Sequence, residues 1–273
     1  MTLESLDGLV LVGAGRMGGA LLDGWLENGL PPDKLTVIDP APAPQVVERS
    51  KLHGFFLTPD SFKVSQAAIV VIAVKPQIFS DVLTNLCDLV GAQTLALSIA
   101  AGKTIADLEN GLGHVGAVVR AMPNTPAAIS RGVSVLVANS MLSQDQRFVA
   151  SQLMSAVGTV EWIEDETLMD AVTALSGSGP AYVFHLTECL IKAGIAAGLD
   201  AGLSARLAAE TVAGSGALIT QSAETPERLR KNVTSPGGTT EAALKVLMSS
   251  AGLEELMIRA VLAAKQRGRE LAG

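Results

Sequence analysis

The chain has 273 residues, 48% apolar and 17% charged, with a formal net charge of -7 from 20 basic and 27 acidic side chains. Disorder needs low hydrophobicity and high net charge, so this composition excludes it. Lys and Arg are nowhere concentrated and aromatics are only 3%, which argues against a nucleic-acid partner.

In chain order, the N-terminus has no basic region ahead of its apolar run, so no secretory signal is expected. Apolar, β-branched runs at 9–12, 35–38, 69–74, 94–99, 115–119, 133–137 and 159–163 read as strands, with helical or turn patterns between most of them. Strands buried on both faces are continuously apolar, as 68–74 is. This alternation predicts an α/β, doubly wound, mainly parallel sheet over residues 1–163. From 164 to 273 no strand is evident. Helices are expected near 165–175, 180–198, 204–222, 226–232, 239–249 and 252–270. Thr225, Ser204 and Thr239 are the expected N-caps. His185, Glu188 and Lys192 fall on one stripe of the apolar 181–199 segment, which therefore reads as a buried helix of a soluble protein rather than a membrane span. Ala/Gly-rich stretches at 193–198 and 213–217 let another helix approach closely, and a dimer is expected from them. Cys87 and Cys189 lie far apart, so a reducing cytoplasm is expected. His53, His114 and His185 are scattered, and no metal site is expected.

After Val12, the stretch Gly13-Ala14-Gly15-Arg16-Met17-Gly18 is a G-x-G-x-x-G between a strand and a helix. In that setting Gly13 permits the turn, Gly15 lets the backbone reach a pyrophosphate, and Gly18 lets the helix pack on the sheet. Asp39 stands 21 positions past Gly18 at the end of the second strand, where an acid bonds ribose hydroxyls. Further strand ends carry Ala73-Val74-Lys75-Pro76, Ala100-Ala101 and Met122-Pro123-Asn124-Thr125-Pro126, where doubly wound sheets bind ligands. Lys75 could be a catalytic base, a phosphate contact or a solvated charge; with Pro76 fixing the backbone behind it, cofactor positioning is the preferred reading. Two Ser/Gly/Pro loops, Leu175 to Pro180 and Thr234 to Thr240, each run into a helix and offer N–H groups and hydroxyls to an anion. Two such loops suit one small carboxylate.

With Asn232-Val233-Thr234-Ser235-Pro236-Gly237-Gly238-Thr239-Thr240 and the other motifs in order, the chain resembles the pyrroline-5-carboxylate reductases. The resemblance implies a Rossmann domain over 1–163 and an all-α dimerisation domain over 164–273. It implies reduction of 1-pyrroline-5-carboxylate to L-proline, the last step of proline biosynthesis, by NADPH or NADH. It implies a homodimer, often assembled further into decamers. The cofactor set is Val12, Gly13, Ala14, Gly15, Arg16, Met17, Gly18, Asp39, Ala73, Val74, Lys75, Pro76, Ala100, Ala101 and Asn124. Ser235, Gly238 and Thr239 are assigned to the substrate carboxylate, helped by Ser176 and Gly177. Thr240 is assigned to the imine nitrogen, with Thr173 behind it. Many members have asparagine where this chain has Ser61, and Asp39 favours NADH over NADPH. A β-hydroxyacid dehydrogenase would need a lysine where Val183 stands. A non-catalytic dinucleotide-binding regulator would not need the anion loops.

Overall fold

The structure is a computed structural model of the chain. It describes residues 1–273 except 1, 2, 4, 5, 7, 62, 63, 65, 66, 114, 115 and 273. His114 and the first residue of the expected 115–119 strand therefore lie outside the described residues. Two compact units are present: residues 1–177 with 265–273, and residues 178–264.

The first unit is built on eight strands: β1 Leu9–Val12, β2 Leu35–Ile38, β3 Phe56–Thr58, β4 Ile69–Ile72, β5 Leu95–Ser98, β6 Ala117–Met122, β7 Gly132–Ala138 and β8 Gly158–Trp162. They form one sheet in the order β3-β2-β1-β4-β5-β6-β7-β8. All pairings are parallel except β6 with β7. Its helices are α1 Arg16–Glu27, α2 Pro44–His53, α3 Phe79–Thr84, α4 Ile105–Leu112, α5 Gln144–Ser155 and α6 Met169–Val172.

Alternation along the strands sorts the apolar side chains to two faces. Leu9, Leu11, Val71 and Leu97 join Leu21, Leu22, Trp25 and Leu153 in one core. Val10, Val12, Val70 and Ala96 join Phe79, Leu83, Leu108 and Leu112 in the other. Each large side chain buried this way stabilises the fold by about 1.5–3 kcal/mol. Trp25 also donates its indole N–H to the Leu153 carbonyl at 2.8 Å, fastening α1 to α5.

The second unit contains α7 Gly179–Ala196, α8 Ala201–Gln221, α9 Pro226–Asn232, α10 Thr239–Leu247 and most of α11 Leu253–Ala272. No strand occurs beyond residue 163 among the described residues. Thr225 caps α9 as expected, accepting from Arg228 N. The other two expected caps differ. Asp200 caps α8 by accepting from Leu203 N, because an aspartate three residues ahead of Leu203 reaches its amide first; Ser204 lies inside the helix and is buried. Gly238, not Thr239, is the N-cap of α10.

The reading of 181–199 as a buried helix is also corrected: α7 has no buried residue within the chain. Val183, Phe184, Leu186, Leu190 and Ile195 are all exposed. His185 and Glu188 do pair, at 3.0 Å. A helix this apolar left open to water marks an interaction surface.

Candidate functional site

The chain leaves β1 toward β2 on one side, and returns after β3 to β4 on the other. The loops after β1 and β4 therefore diverge, opening a crevice at the carboxyl ends of the strands. A cleft of about 680 Å³ occupies that place. Of the expected cofactor residues, Val12, Gly13, Gly15, Asp39, Ala73, Val74 and Lys75 line it; Ser61 lines it too, as do Pro59, Asp60, Ile78 and Asn85, which sequence reasoning did not select.

The glycines divide the work. Gly13 has φ +89°, and a Cβ there would stand 2.8 Å from the Ala73 carbonyl oxygen. A Cβ on Gly18 would run into the Gly13 carbonyl oxygen, so α1 sits close under the loop only because Gly18 has none. A Cβ on Gly15 would meet nothing within 4 Å. The space above Gly15 is thus open, at the N-cap of α1, where no side chain caps the first turn. Free N–H groups and the positive end of the helix dipole face that space, which suits a pyrophosphate. Ala14 and Met17 support the loop, as buried and half-buried residues respectively.

Asp39 follows β2, and its backbone N–H donates to the Thr58 carbonyl at 3.0 Å. Its Oδ2 accepts from Ala14 N and its Oδ1 from Ala41 N, both at 2.9 Å. The carboxylate is thereby fixed beside the glycine loop. Each oxygen keeps a lone pair for a ligand donor. Arg49, the first basic residue after Asp39, is committed to Asp23 at 2.7 Å. Partial burial raises the Asp23 pKa, while Arg49 opposes that rise. Arg16 is exposed and does not line the cleft.

Lys75 is exposed and is the N-cap of the 3₁₀ turn Pro76–Ile78. Ala100 is buried and Ala101 exposed in the turn after β5. That turn is held at its far end by Glu166, whose Oε1 accepts from Ile105 N and from Arg120 Nη1, each at 2.9 Å. Sequence reasoning does not select Arg120. A charge inside the apolar β6 run is a signal of a buried ion pair, but its partner lies 46 positions away. The Asn124 amide is spent within the protein: Oδ1 accepts from Val133 N, and Nδ2 donates to the Ser176 carbonyl at 3.3 Å.

Thr173, Ser176 and Gly177 lie on one π-helical turn, Thr173–Gly177. Such turns are frequent at functional sites. The Thr173 hydroxyl donates to the Met169 carbonyl at 2.8 Å. The Ser176 hydroxyl oxygen is buried with no hydrogen-bond partner among the described residues. A Cβ on Gly177 would approach Met122 Cε to 2.5 Å, so this turn packs tightly on the residue ending β6.

In the second unit, the loop ahead of α10 sorts its own polar groups. The Thr234 hydroxyl is consumed by the Arg230 carbonyl at 2.6 Å. Gly237 N donates to Glu241 Oε2, and Gly238 N to the Ser235 carbonyl. The first α-helical bond runs from Ala242 N to the Gly238 carbonyl. The N–H groups of Thr239, Thr240 and Glu241 precede it with no side-chain cap. The hydroxyls of Ser235, Thr239 and Thr240 make no hydrogen bond among the described residues. This loop therefore presents three hydroxyls and a helix N-terminus to an anion.

Residues 166–271 match the pyrroline-5-carboxylate reductase dimerisation family, and residues 9–102 match the family described as NADP oxidoreductase coenzyme F420-dependent. The chain is 41% identical to the pyrroline-5-carboxylate reductase of Pseudomonas aeruginosa over 97% of its own length and 96% of that protein's. It is 35% identical to the pyrroline-5-carboxylate reductase of Glycine max over the same shares of the two chains. Among solved structures, that of a pyrroline-5-carboxylate reductase from Coxiella burnetii superposes with a TM-score of 0.93 at 35% identity, covering 98% of this chain and 100% of that one. The Plasmodium falciparum enzyme, solved with NADP bound, superposes with a TM-score of 0.83 at 29% identity, covering 99% of each chain.

Proposed function

The chain belongs to the pyrroline-5-carboxylate reductase family, and on that premise we propose how its own residues divide the reaction. The enzyme is an NAD(P)H-dependent oxidoreductase of a C=N bond that reduces 1-pyrroline-5-carboxylate to L-proline. The reduced nicotinamide supplies the hydride when bound. A protonated cyclic imine is already electrophilic at its ring carbon, so the protein's part is to bind, orient and exclude water.

The single observation that carries the cofactor half is the fixed set of Gly13, Gly15, Gly18 and Asp39 at the strand-order reversal. Gly15 and the first turn of α1 take the pyrophosphate. Asp39 takes ribose hydroxyls and repels a 2′-phosphate, so NADH is the preferred donor. The absence of a basic residue in 40–45 and the commitment of Arg49 to Asp23 support this reading. Lys75 with Pro76 behind it positions the cofactor, Ala100 and Ala101 leave room for a flat ring, and Asn124 holds the π-helical turn.

For the substrate, Ser235, Gly238 and Thr239 hold the carboxylate, with Ser176 and Gly177 assisting. Thr240 orients the imine nitrogen or relays its proton, and Thr173 is assigned a supporting role. The hydroxyls of Ser235, Thr239 and Thr240, which make no hydrogen bond among the described residues, support that division.

The enzyme is a homo-oligomer through its dimerisation domain. We take the assembly to be a homodimer that builds further, a decamer included. The match from residue 166 supports a functional division into 1–163 for the nucleotide and 164–273 for substrate and pairing. No helix among the described residues is long and apolar enough to cross a membrane. Dependence on the NAD(P)H pool and two free thiols, Cys87 and Cys189, support a cytoplasmic location. The test is oxidation of NADH or NADPH with and without 1-pyrroline-5-carboxylate, with L-proline as product. Oxidation that does not depend on this imine would overturn the assignment.

A further inference from the structure

We infer that Asn124, two residues past β6, is a positioning residue for the substrate: its carboxamide holds the Ser176 peptide, and with it the π-helical turn Thr173–Gly177, at the end of β6. This rests on the reading that Ser176 and Gly177 help to hold the substrate carboxylate, and it takes Asn124 out of the cofactor set in which the sequence places it.

The carboxamide is engaged first where the backbone ladder stops. β6 and β7 are antiparallel, with Met122 opposite Val135. Asn139 N donates to the Val118 carbonyl at 3.0 Å, and hydrogen-bonded pairs recur at every second residue of such a ladder. In that register the pair beyond Met122 and Val135 would be residues 124 and 133. The chain instead turns away at Asn124 into the 3₁₀ turn Thr125–Ile129, and the Asn124 carbonyl accepts from Ala127 N at 3.1 Å. The side chain stands in for that carbonyl: Asn124 Oδ1 accepts from Val133 N at 3.0 Å.

With the oxygen fixed in this way, the amide nitrogen is left for the turn. Nδ2 donates to the Ser176 carbonyl at 3.3 Å, across 52 positions of sequence. The next residue, Gly177, packs on Met122, where a Cβ would stand 2.5 Å from Cε. The turn is thus gripped at two successive residues by the end of β6. The Ser176 hydroxyl oxygen is buried without a hydrogen-bond partner among the described residues. Its direction follows from the backbone of residue 176, so releasing that carbonyl re-aims the hydroxyl. Asn124 does not line the cleft formed by Gly13, Gly15 and Asp39.

The two contacts ask for an acceptor and a donor on one short side chain. A carboxamide has both, and so has a protonated carboxyl, whereas a carboxylate has acceptors alone. Asn124→Asp therefore keeps the bond from Val133 N but, while ionised, sets a negative oxygen against the Ser176 carbonyl. Protonation returns a donor, and the neighbouring carbonyl oxygen favours the protonated form.

The experiment is steady-state kinetics of full-length wild type, Asn124→Asp and Asn124→Ala with 1-pyrroline-5-carboxylate and the nucleotide that wild type prefers, from about pH 8 to about pH 5. Calorimetric titration with that nucleotide is run alongside. Both variants should raise KM for the imine about tenfold at the upper end, with kcat much less affected, as a loss of ground-state binding does. Nucleotide affinity should stay within about twofold of wild type. For Asn124→Asp, the ratio of its KM to that of wild type should fall as the pH is lowered; taking the ratio cancels the titration of the imine itself. Asn124→Ala has nothing to protonate, so its ratio should stay flat. If Asn124→Ala does not fold, Asn124→Asp carries the test, since it keeps the contact with β7. An unchanged KM in the folded variants, or a pH-independent ratio for Asn124→Asp, would overturn the inference. A loss of nucleotide affinity as large as the rise in KM would also overturn it, and would make Asn124 a cofactor contact. Wild type without imine-dependent oxidation would overturn the underlying reading together with this inference, whereas an active wild type matched by both variants would reject this inference alone.

Discussion

The carboxylate of Asp39 accepts a hydrogen bond from the backbone N–H of Ala14 at 2.9 Å, across 25 positions of sequence. The end of β2 is thereby tied to the glycine loop, and the acid cannot swing away without breaking this bond and the one from Ala41 N. Under the proposed role of Asp39, cofactor choice is a property of a fixed charge rather than of a mobile side chain.

The glycine loop yields a contrast between two substitutions. Gly15→Ala places a methyl in open space, so the protein should fold with unchanged stability while nucleotide binding weakens about tenfold or more. Gly18→Ala drives a methyl into the Gly13 carbonyl, so it should destabilise the fold by about 1–3 kcal/mol, as overpacking does. Denaturation and cofactor titration on both variants check this. Equal behaviour of the two would contradict the division of roles.

Thr240 is the residue assigned to the imine nitrogen. Thr240→Ala should lower turnover about 10- to 100-fold, equivalent to 1.4–2.7 kcal/mol of transition-state stabilisation. Nucleotide affinity should barely move, since the role proposed for this hydroxyl is toward the imine and not the nucleotide. Unchanged turnover in the folded variant would remove Thr240 from the mechanism.

Assembly is tested by two glycines of the helical unit. A Cβ on Gly194 would stand 2.9 Å from Ser204 Oγ, so Gly194 serves the packing of α7 on α8 within the chain. A Cβ on Gly214 would meet nothing within 4 Å. Glycine inside a helix costs up to about 1 kcal/mol relative to alanine, so a close approach from a second copy is the reason we assign to Gly214. Gly214→Leu should shift light scattering toward the 28.1 kDa monomer and lower activity in parallel. A variant with both assembly and activity intact would place the interface elsewhere.

The Arg120–Glu166 pair anchors the turn that carries Ala100 and Ala101 through Ile105. Glu166→Gln leaves the nearly buried Arg120 without its counter-charge. A loss of about 1–3 kcal/mol is expected, below the 3–5 of fully buried pairs because Glu166 is partly exposed. Chemical denaturation measures it, and an unchanged midpoint would show the pair to be dispensable.

Much of the sheet was legible because its strands are continuous apolar runs; β1 and β2 fall on the residues that the pattern marks. β3 was not legible, since Phe56-Leu57-Thr58 is short, lies at the sheet edge and has only Thr58 buried. The glycine loop and Asp39 could be read because their roles depend on local backbone and spacing. The Asn124–Ser176 contact and the Arg120–Glu166 pair could not, since their meaning comes from partners brought together by the fold. The helical unit misled in one respect: the apolarity of α7 signals burial, but it does not say whether the chain's own residues provide it.

The most direct test is steady-state kcat/KM for NADH and for NADPH, each at saturating 1-pyrroline-5-carboxylate, on wild type and on Asp39→Ser. The fixed carboxylate predicts imine-dependent oxidation with NADH favoured roughly tenfold, a difference of 1.4 kcal/mol, and loss of that preference in the variant. A wild type that favours NADPH, or a ratio that Asp39→Ser leaves unmoved, would contradict it.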